Sequence, residues 1–427
     1  MRRMILRQAR RRRDRGAAAT LFTALFAGGV IIGMLALSVD VGSIMYERRQ
    51  IQNSADATAM AFAQRCATAA AYCNPSEAGT AAVFSTLLAG NSVDGLSQMS
   101  GTSAGMTNGV CGRLTGSTVI ATCLSASADA SVTELAKCPP LPALLRGTGA
   151  TIPYVETYAK TKTAGSNPNI LPKFFSQALA GGSPDTTVRG CARAAWGTPG
   201  QYTAKVPIVV SECEWIRNTS SGTVYQLPPG SPAPGYGSTP GQTAWPALSA
   251  EITILLKSTT TVPCAINGKD TAGGFGYVHP TSGCGATVSI NDWAQIDTGS
   301  SPPDTSCYSI LAALRGTVIE LPIFDCLVKT STMPTGPITG YSDCTGAGAG
   351  GANSYYHVKG WAKFYLTGYK IGGSQEAASL RSGSVPCTGG VRCLSGWYTT
   401  GTLSAGGTIV PPTPGSNFGA YVVAPAG

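Results

Sequence analysis

The residues that decide the fold are 15–63, RGAAATLFTALFAGGVIIGMLALSVDVGSIMYERRQIQNSADATAMAFA. From Ala17 to Val39 this stretch carries no charge over 23 residues and holds Leu21, Phe22, Leu25, Phe26, Val30, Ile31, Ile32, Met34, Leu35 and Leu37. At about 1.5 Å per residue, a helix of that length spans the roughly 30 Å hydrocarbon core of a bilayer. Past Asp40 the helical period continues and becomes two-faced. Ile51, Ala55, Thr58, Phe62, Cys66, Ala69 and Cys73 recur at spacings of three and four, with Arg49, Asn53, Asp56 and Gln64 elsewhere. Asn74-Pro75 is expected to end the helix. One helix would thus be a membrane anchor in its first half and a sheet-packing helix in its second.

Charge orients the anchor. Of 30 basic residues, Arg2, Arg3, Arg7, Arg10, Arg11, Arg12, Arg13 and Arg15 precede the apolar run, opposed only by Asp14; the remainder is nearly balanced, 22 against 20. The net charge of +9 therefore suits lipid headgroups and the insertion machinery, and nucleic-acid binding is excluded as the function. The positive-inside rule puts residues 1–15 in the cytoplasm and everything after Asp40 outside. A cleavable signal peptide, with Ala36 and Ser38 as the small pair before the cut, is the rival reading. Apolar cores of signal peptides usually run about 7 to 15 residues, so an uncleaved anchor is favoured. Gly29 and Gly33 form a GxxxG pair that would let two such helices pack closely, although small residues are common in membrane helices.

The length of 427 residues allows an anchor plus about two folded domains. Only 12% of the residues are charged, and there are 54 glycines and 28 prolines, a turn-rich composition that leans to β structure. Segments 118–135 and 151–163 read as alternating strands, Leu171 to Leu179 as a short helix, and Thr187 to Ala195 as a third strand. Up to about Gly200 the ectodomain is then a helix on a small antiparallel sheet. Asn218 to Pro246, dense in Gly, Pro and Ser, reads as a linker. Beyond it, Glu251–Lys257, Ala286–Ile290, Thr317–Leu321, Tyr355–Ile371 and Gly419–Ala424 are short apolar runs of an all-β module, a sandwich or a barrel. In Tyr355–Ile371 the sets Ala362, Phe364, Leu366 and Trp361, Lys363, Tyr365 face opposite ways, which marks a central strand. The expected class is α+β. Its parts are a cytoplasmic segment 1–15, an anchor 16–40, a helix-plus-sheet unit 41–200 and a β-rich, disulfide-stapled unit 201–427, with the linker near 218–248.

All 14 cysteines follow the anchor, an even number that fits disulfides formed outside the reducing cytoplasm. Cys387 and Cys393 bracket the flexible TGGVR loop and are candidates for one bridge. On a continuous helix Cys66 and Cys73 would lie about 10 Å apart, so each is expected to find a different partner. No Cys-x-x-Cys occurs and the only histidines, His279 and His357, are 78 positions apart, so neither zinc nor haem nor any other cofactor is expected. Gly273-Gly274-Phe275-Gly276 reads as a turn and not a phosphate cradle.

Nucleophilic catalysis would need a histidine held by a carboxylate beside a Ser or Cys, and no Gly-x-Ser-x-Gly elbow in a strand-to-helix context is found. Paired acids remain as the enzymatic option: Glu212 and Glu214 flank Cys213 on an expected strand, and Asp297 and Asp304 sit in a loop. Solvated carboxylates are far commoner than catalytic ones, and no catalytic or metal residue is assigned.

Arg15-Gly16-Ala17-Ala18-Ala19, the apolar span, and then Val39-Asp40-Val41-Gly42, Arg48-Arg49-Gln50-Ile51-Gln52 and Ala55-Asp56-Ala57 follow one another in a recognisable order. Over roughly the first seventy residues the chain resembles the N-terminal domain of Tad (tight adherence) pilus-assembly proteins of the TadG-like type. The resemblance implies a membrane-anchored, extracytoplasmic structural or accessory component of a pilus or secretion apparatus, with the bilayer and assembly proteins as partners. Relatives that polymerise carry a Gly followed five residues later by Glu, where a peptidase cuts. Here Gly16 is followed by Leu21, which implies a stationary accessory role. Some TadG-like proteins end in a von Willebrand A domain; Asp129-Ala-Ser131-Val-Thr133 approaches its metal motif but lacks the apolar strand before it. The alternatives are a tethered adhesin that holds protein or glycan, and a surface hydrolase.

Overall fold

The computed structural model describes residues 2–68, 72–93, 97–99, 109–114, 119–121, 123, 138–142, 145, 152–161, 171–172, 185–186, 188–229, 245–256, 275–299, 301–332, 353–372, 374–403, 407–411 and 417–426. The Asp129-Ala-Ser131-Val-Thr133 stretch lies outside them.

The apolar span and the packing helix are one element, α1 (Arg2–Thr68), of 67 residues. Its apolar positions from Leu21 to Val39, and on through Val41, Met45 and Tyr46, are exposed. The part from Ala19 is long and apolar enough to cross a membrane. From Ile51 onward one face is buried in the protein. α1 is described to Thr68, Cys73 is not helical, and Cys66 is bonded to Cys73 with 4.4 Å between Cα atoms. The separate partners expected for these cysteines are thus corrected: the helical rise that would hold them apart ends before Cys73. A second helix, α2 (Ala78–Gly90), starts at Glu77, whose carboxylate accepts from the Gly79 and Thr80 amides at 3.0 and 2.8 Å. These two bonds hold that carboxyl below the usual range. Arg65 reaches the same carboxylate at 2.8 Å and ties the two helices together.

The helix lies on an eight-stranded sheet centred on β1 (Tyr154–Thr161) and β2 (Arg189–Pro199). These run antiparallel, from Tyr154 opposite Ala195 to Lys160 opposite Arg189. Val110–Arg113 flanks β1, and the far edge of β2 is filled by Ala420–Pro425, the last described strand of the chain. Leu171–Pro172, the start of the stretch expected as a short helix, is extended and paired with Asp185–Thr186, since a residue before proline is pushed toward extended backbone; the rest of that stretch, 173–179, lies outside the described residues.

The second sheet is built from β3 (Ile208–Ser211), β4 (Phe275–Val278), β5 (Asp292–Asp297), β6 (Val318–Lys329), β7 (Ser354–Ile371) and β8 (Cys393–Thr399). The pairings β7–β5–β4–β3–β6 return to β7, so five strands close into a barrel. β8 and then Ile252–Leu255 extend the sheet from the other half of β7. As the alternation implied, β7 feeds two cores: Ala362, Phe364 and Leu366 lie in one, Tyr356, Val358 and Trp361 in the other. Disulfides Cys284–Cys307 and Cys387–Cys393 staple this unit, the latter with Cα atoms 6.3 Å apart. No described cysteine is free.

Candidate functional site

The family motif places its polar residues where α1 is seated. Ile51, Ala55, Ala59, Phe62, Ala63 and Cys66 form the buried face of the helix, and alternate residues of β2, namely Ala192, Ala194 and Trp196, share their cluster. Small side chains on both surfaces let helix and sheet approach closely. At Gly190 the approach is closest: an added Cβ would lie 3.0 Å from Ile51 Cγ2 and 3.1 Å from the Gln52 amide nitrogen. Gln52 donates its side-chain amide to the Cys191 carbonyl at 2.7 Å and to Asp56 Oδ1 at 3.1 Å. Thr157 Oγ1 donates to the Ala55 carbonyl at 2.9 Å, and Gln50 Oε1 accepts from the Val93 amide at 2.5 Å. Burial raises the Asp56 carboxyl, and the Gln52 bond partly offsets it.

The remaining motif positions are spread along the helix. Asp40 is buried and Arg48 exposed, while Cβ atoms added at Gly29 or Gly42 would touch nothing within 4 Å. Gly33 is half-buried; Arg15 and Gly16 belong to α1, but the surroundings of their side chains are outside the described residues. Gly190→Val is expected to cost about 1–3 kcal/mol, because its Cβ alone already presses on the Ile51 branch methyl and on the helix backbone at Ile51 and Gln52. Chemical denaturation of the purified chain measures this, and an unchanged midpoint would argue against the tight seat.

On the opposite face of β1 and β2, Glu156 and Arg193 form an ion pair with both side chains fully buried. Arg193 donates Nε to Glu156 Oε1 at 2.8 Å, and Nη2 lies 2.6 Å from the same oxygen. Tyr158 donates its hydroxyl to Glu156 Oε2 at 2.7 Å. Arg193 also donates to the carbonyls of Pro139 at 2.6 Å and Ala426 at 3.2 Å. The sulfurs of Cys111 and Cys123, and of Cys138 and Cys191, gather around this carboxylate within 4.8 Å. They are bonded to one another in two disulfides, which removes the thiolates a metal would need.

The two acid pairs do not assemble. Glu212 and Glu214 lie in the first turn of a helix, α3 (Glu212–Thr219), and not on a strand; Ser211 caps it by accepting from the Cys213 amide at 3.2 Å. Two residues apart on a helix, their side chains diverge by about 200°. Each meets its own cation: Glu212 pairs with Lys359 at 2.8 Å, and Glu214 with Arg217. Burial raises the Glu214 carboxyl against the opposing pull of Arg217 and Asn218. Asp297 ends β5, whereas Asp304 precedes α4 (Ser306–Leu314) and accepts from the Ser306 amide at 2.7 Å.

One arrangement was missed on sequence. His357 Nδ1 lies 2.7 Å from Asp325 Oδ1, both residues being buried, on neighbouring strands of the barrel. This is the base-and-carboxylate half of a hydrolytic triad. Among the described residues no hydroxyl or thiol hydrogen-bonds His357, and Cys326, its register neighbour, is disulfide-bonded. The pair reads as a buried strand-to-strand tie.

Residues 16–71 match the family model for Tad, the Flp pilus-assembly proteins of the TadE/G-like kind. Neither the curated proteins nor the solved structures yield a match to this chain.

Proposed function

From a chain whose residues 16–71 are a TadE/G-like Tad domain of Flp pilus assembly, we propose a membrane-anchored accessory component of a Tad pilus or secretion apparatus that acts in surface adherence. One observation carries the reading: in one unbroken helix, α1, the large apolar side chains described between Leu21 and Tyr46 are exposed, whereas from Ile51 onward one face is buried in the protein. A continuous helix couples whatever holds its first half to the folded unit on its second half. The bilayer is the occupant whose chemistry suits the first half, with the arginine block left in the cytoplasm and the disulfide-bonded bulk outside. Assembly proteins are the expected partners, and Gly29 and Gly33 offer a face for self-association. The role is read as structural, since Glu212, Glu214 and His357 are each engaged in ion pairs within the fold and Asp304 accepts from the Ser306 amide.

Leu21 stands where a processed pilin has Glu, so the anchor should remain uncut. Mass spectrometry of the mature protein is expected to find Met1 to Arg15 still attached, in the membrane fraction and not in sheared fibres. Ala17 as the first residue, in filaments, would overturn the accessory role.

A further inference from the structure

Where the end of α1 meets the barrel, a cavity of about 660 Å³ opens, within the size range of small-ligand sites. Its walls come from both sheets and the helices beside them: Thr68 of α1 and Tyr421 of the first sheet, Trp215 and Ile216 of α3, and Asn417, which pairs with β7 of the second sheet. Three aromatic side chains, Trp215, Tyr225 and Tyr421, line it together with the neutral polar groups of Ser221, Thr400 and Asn417. Glu212 also borders it, and its charge is compensated by Lys359 at 2.8 Å. A cation or an anion would therefore find no uncompensated charge among these described groups.

The rings are held in place rather than merely collapsed together. Trp215 donates its indole N–H to the Phe418 carbonyl at 3.2 Å and stands edge-on to the Phe418 ring at 4.7 Å between centroids. The rim is backbone in an uncommon conformation: Ser220, Ser221 and Gly222 have φ of 50°, 59° and 83° in succession. Two serines in the left-handed region cost energy, and such strain persists where the surrounding structure enforces it. Glycine is required at the third position, because a Cβ there would lie 2.8 Å from Trp215 Cη2. Likewise a Cβ on Gly419 would be 3.1 Å from the Tyr225 hydroxyl.

We propose that this cavity is a binding subsite for a neutral saccharide, one or two rings in length. Aromatic faces offer apolar contact to the C–H faces of a sugar ring, and the hydroxyl and amide groups between them offer partners to its hydroxyls. Because the walls come from both sheets, a bound sugar would bridge the helix-bearing unit and the barrel. The inference stands on the cavity alone and does not depend on the pilus reading.

The test is titration of the full chain, purified in a detergent without a sugar headgroup, with maltose, cellobiose and N,N′-diacetylchitobiose, followed by calorimetry and by tryptophan fluorescence. At least one disaccharide is expected to bind. Asn417→Ala and Thr400→Val should each weaken it about tenfold, the loss of one well-placed hydrogen bond. Ser289→Ala, in a separate cleft beside Gln201, should leave it unchanged. Asn417 also accepts from the Gly419 amide, so Thr400→Val probes the same wall without disturbing that turn. Failure of all three sugars to bind wild type, or undiminished binding in the folded Thr400→Val protein, overturns the proposal.

Discussion

Arg193→Ala is expected to destabilise the helix-bearing unit by about 3–5 kcal/mol, because it leaves the Glu156 carboxylate buried without its cation. The guanidinium joins three parts of the chain: β1 through Glu156, the Pro139 segment and the Ala426 carbonyl. Ala reaches none of them. The Tyr158 hydroxyl stays within 2.7 Å of Glu156 but cannot neutralise a charge. Removing both charges tests the cause. Glu156→Gln combined with Arg193→Met should recover most of the loss, since a buried pair replaced by uncharged groups of similar volume is often close to neutral. Denaturant unfolding of the oxidised protein, with Cys111–Cys123 and Cys138–Cys191 intact, gives the comparison. A single variant that unfolds at the wild-type denaturant concentration, or a double variant worse than the single, would contradict the assignment.

Periodicity made the local elements legible and left their partners hidden. The long apolar helix, the two-faced continuation of α1 and the central strand β7 all follow from patterns that act within one element. Cys66–Cys73 misled because the sequence between them holds no breaker before Asn74-Pro75, so nothing local marks Cys73 as lying outside the helix. Glu212 and Glu214 misled for the opposite reason. Ser211 with Glu214 three residues later is a capping-box signature and announces a helix start, but apolar Ile208 to Val210 just before it reads as a strand that continues. The His357–Asp325 pair could not be read at all, since 32 residues separate the two and a register shift in β6 beside Asp325 sets which residues face each other. The cavity is of the same kind: its walls come from segments near 68, 215, 400 and 420 that only the closed fold brings together.

Ending the chain after Gly419 should unfold the helix-bearing unit while the barrel survives. Ala420–Pro425 is the strand in question, paired with β2 from Val422 opposite Gly197 to Pro425 opposite Ala194. Without it β2 loses a ladder of hydrogen bonds, the buried Val422 side chain and the packing of Tyr421 and Val423 against the α1 cluster. Burying one aliphatic side chain is worth about 1.5–3 kcal/mol, so these losses together approach the whole stability of an ordinary domain. Arg193 loses its Ala426 acceptor as well. Phe418, which packs in the barrel core beside Trp215, is kept by this cut. Limited proteolysis should then cleave within residues 41–200 and spare β3 to β8. Adding the peptide AYVVAPAG in trans should restore protection if strand pairing is what was lost. Equal resistance in both units would show the strand to be dispensable, and equal loss in both would show one cooperative unit. The expected asymmetry has a consequence for assembly: the seat of α1 is completed by residues more than two hundred positions later, so the helix-bearing sheet cannot close until the barrel's chain has emerged beside it.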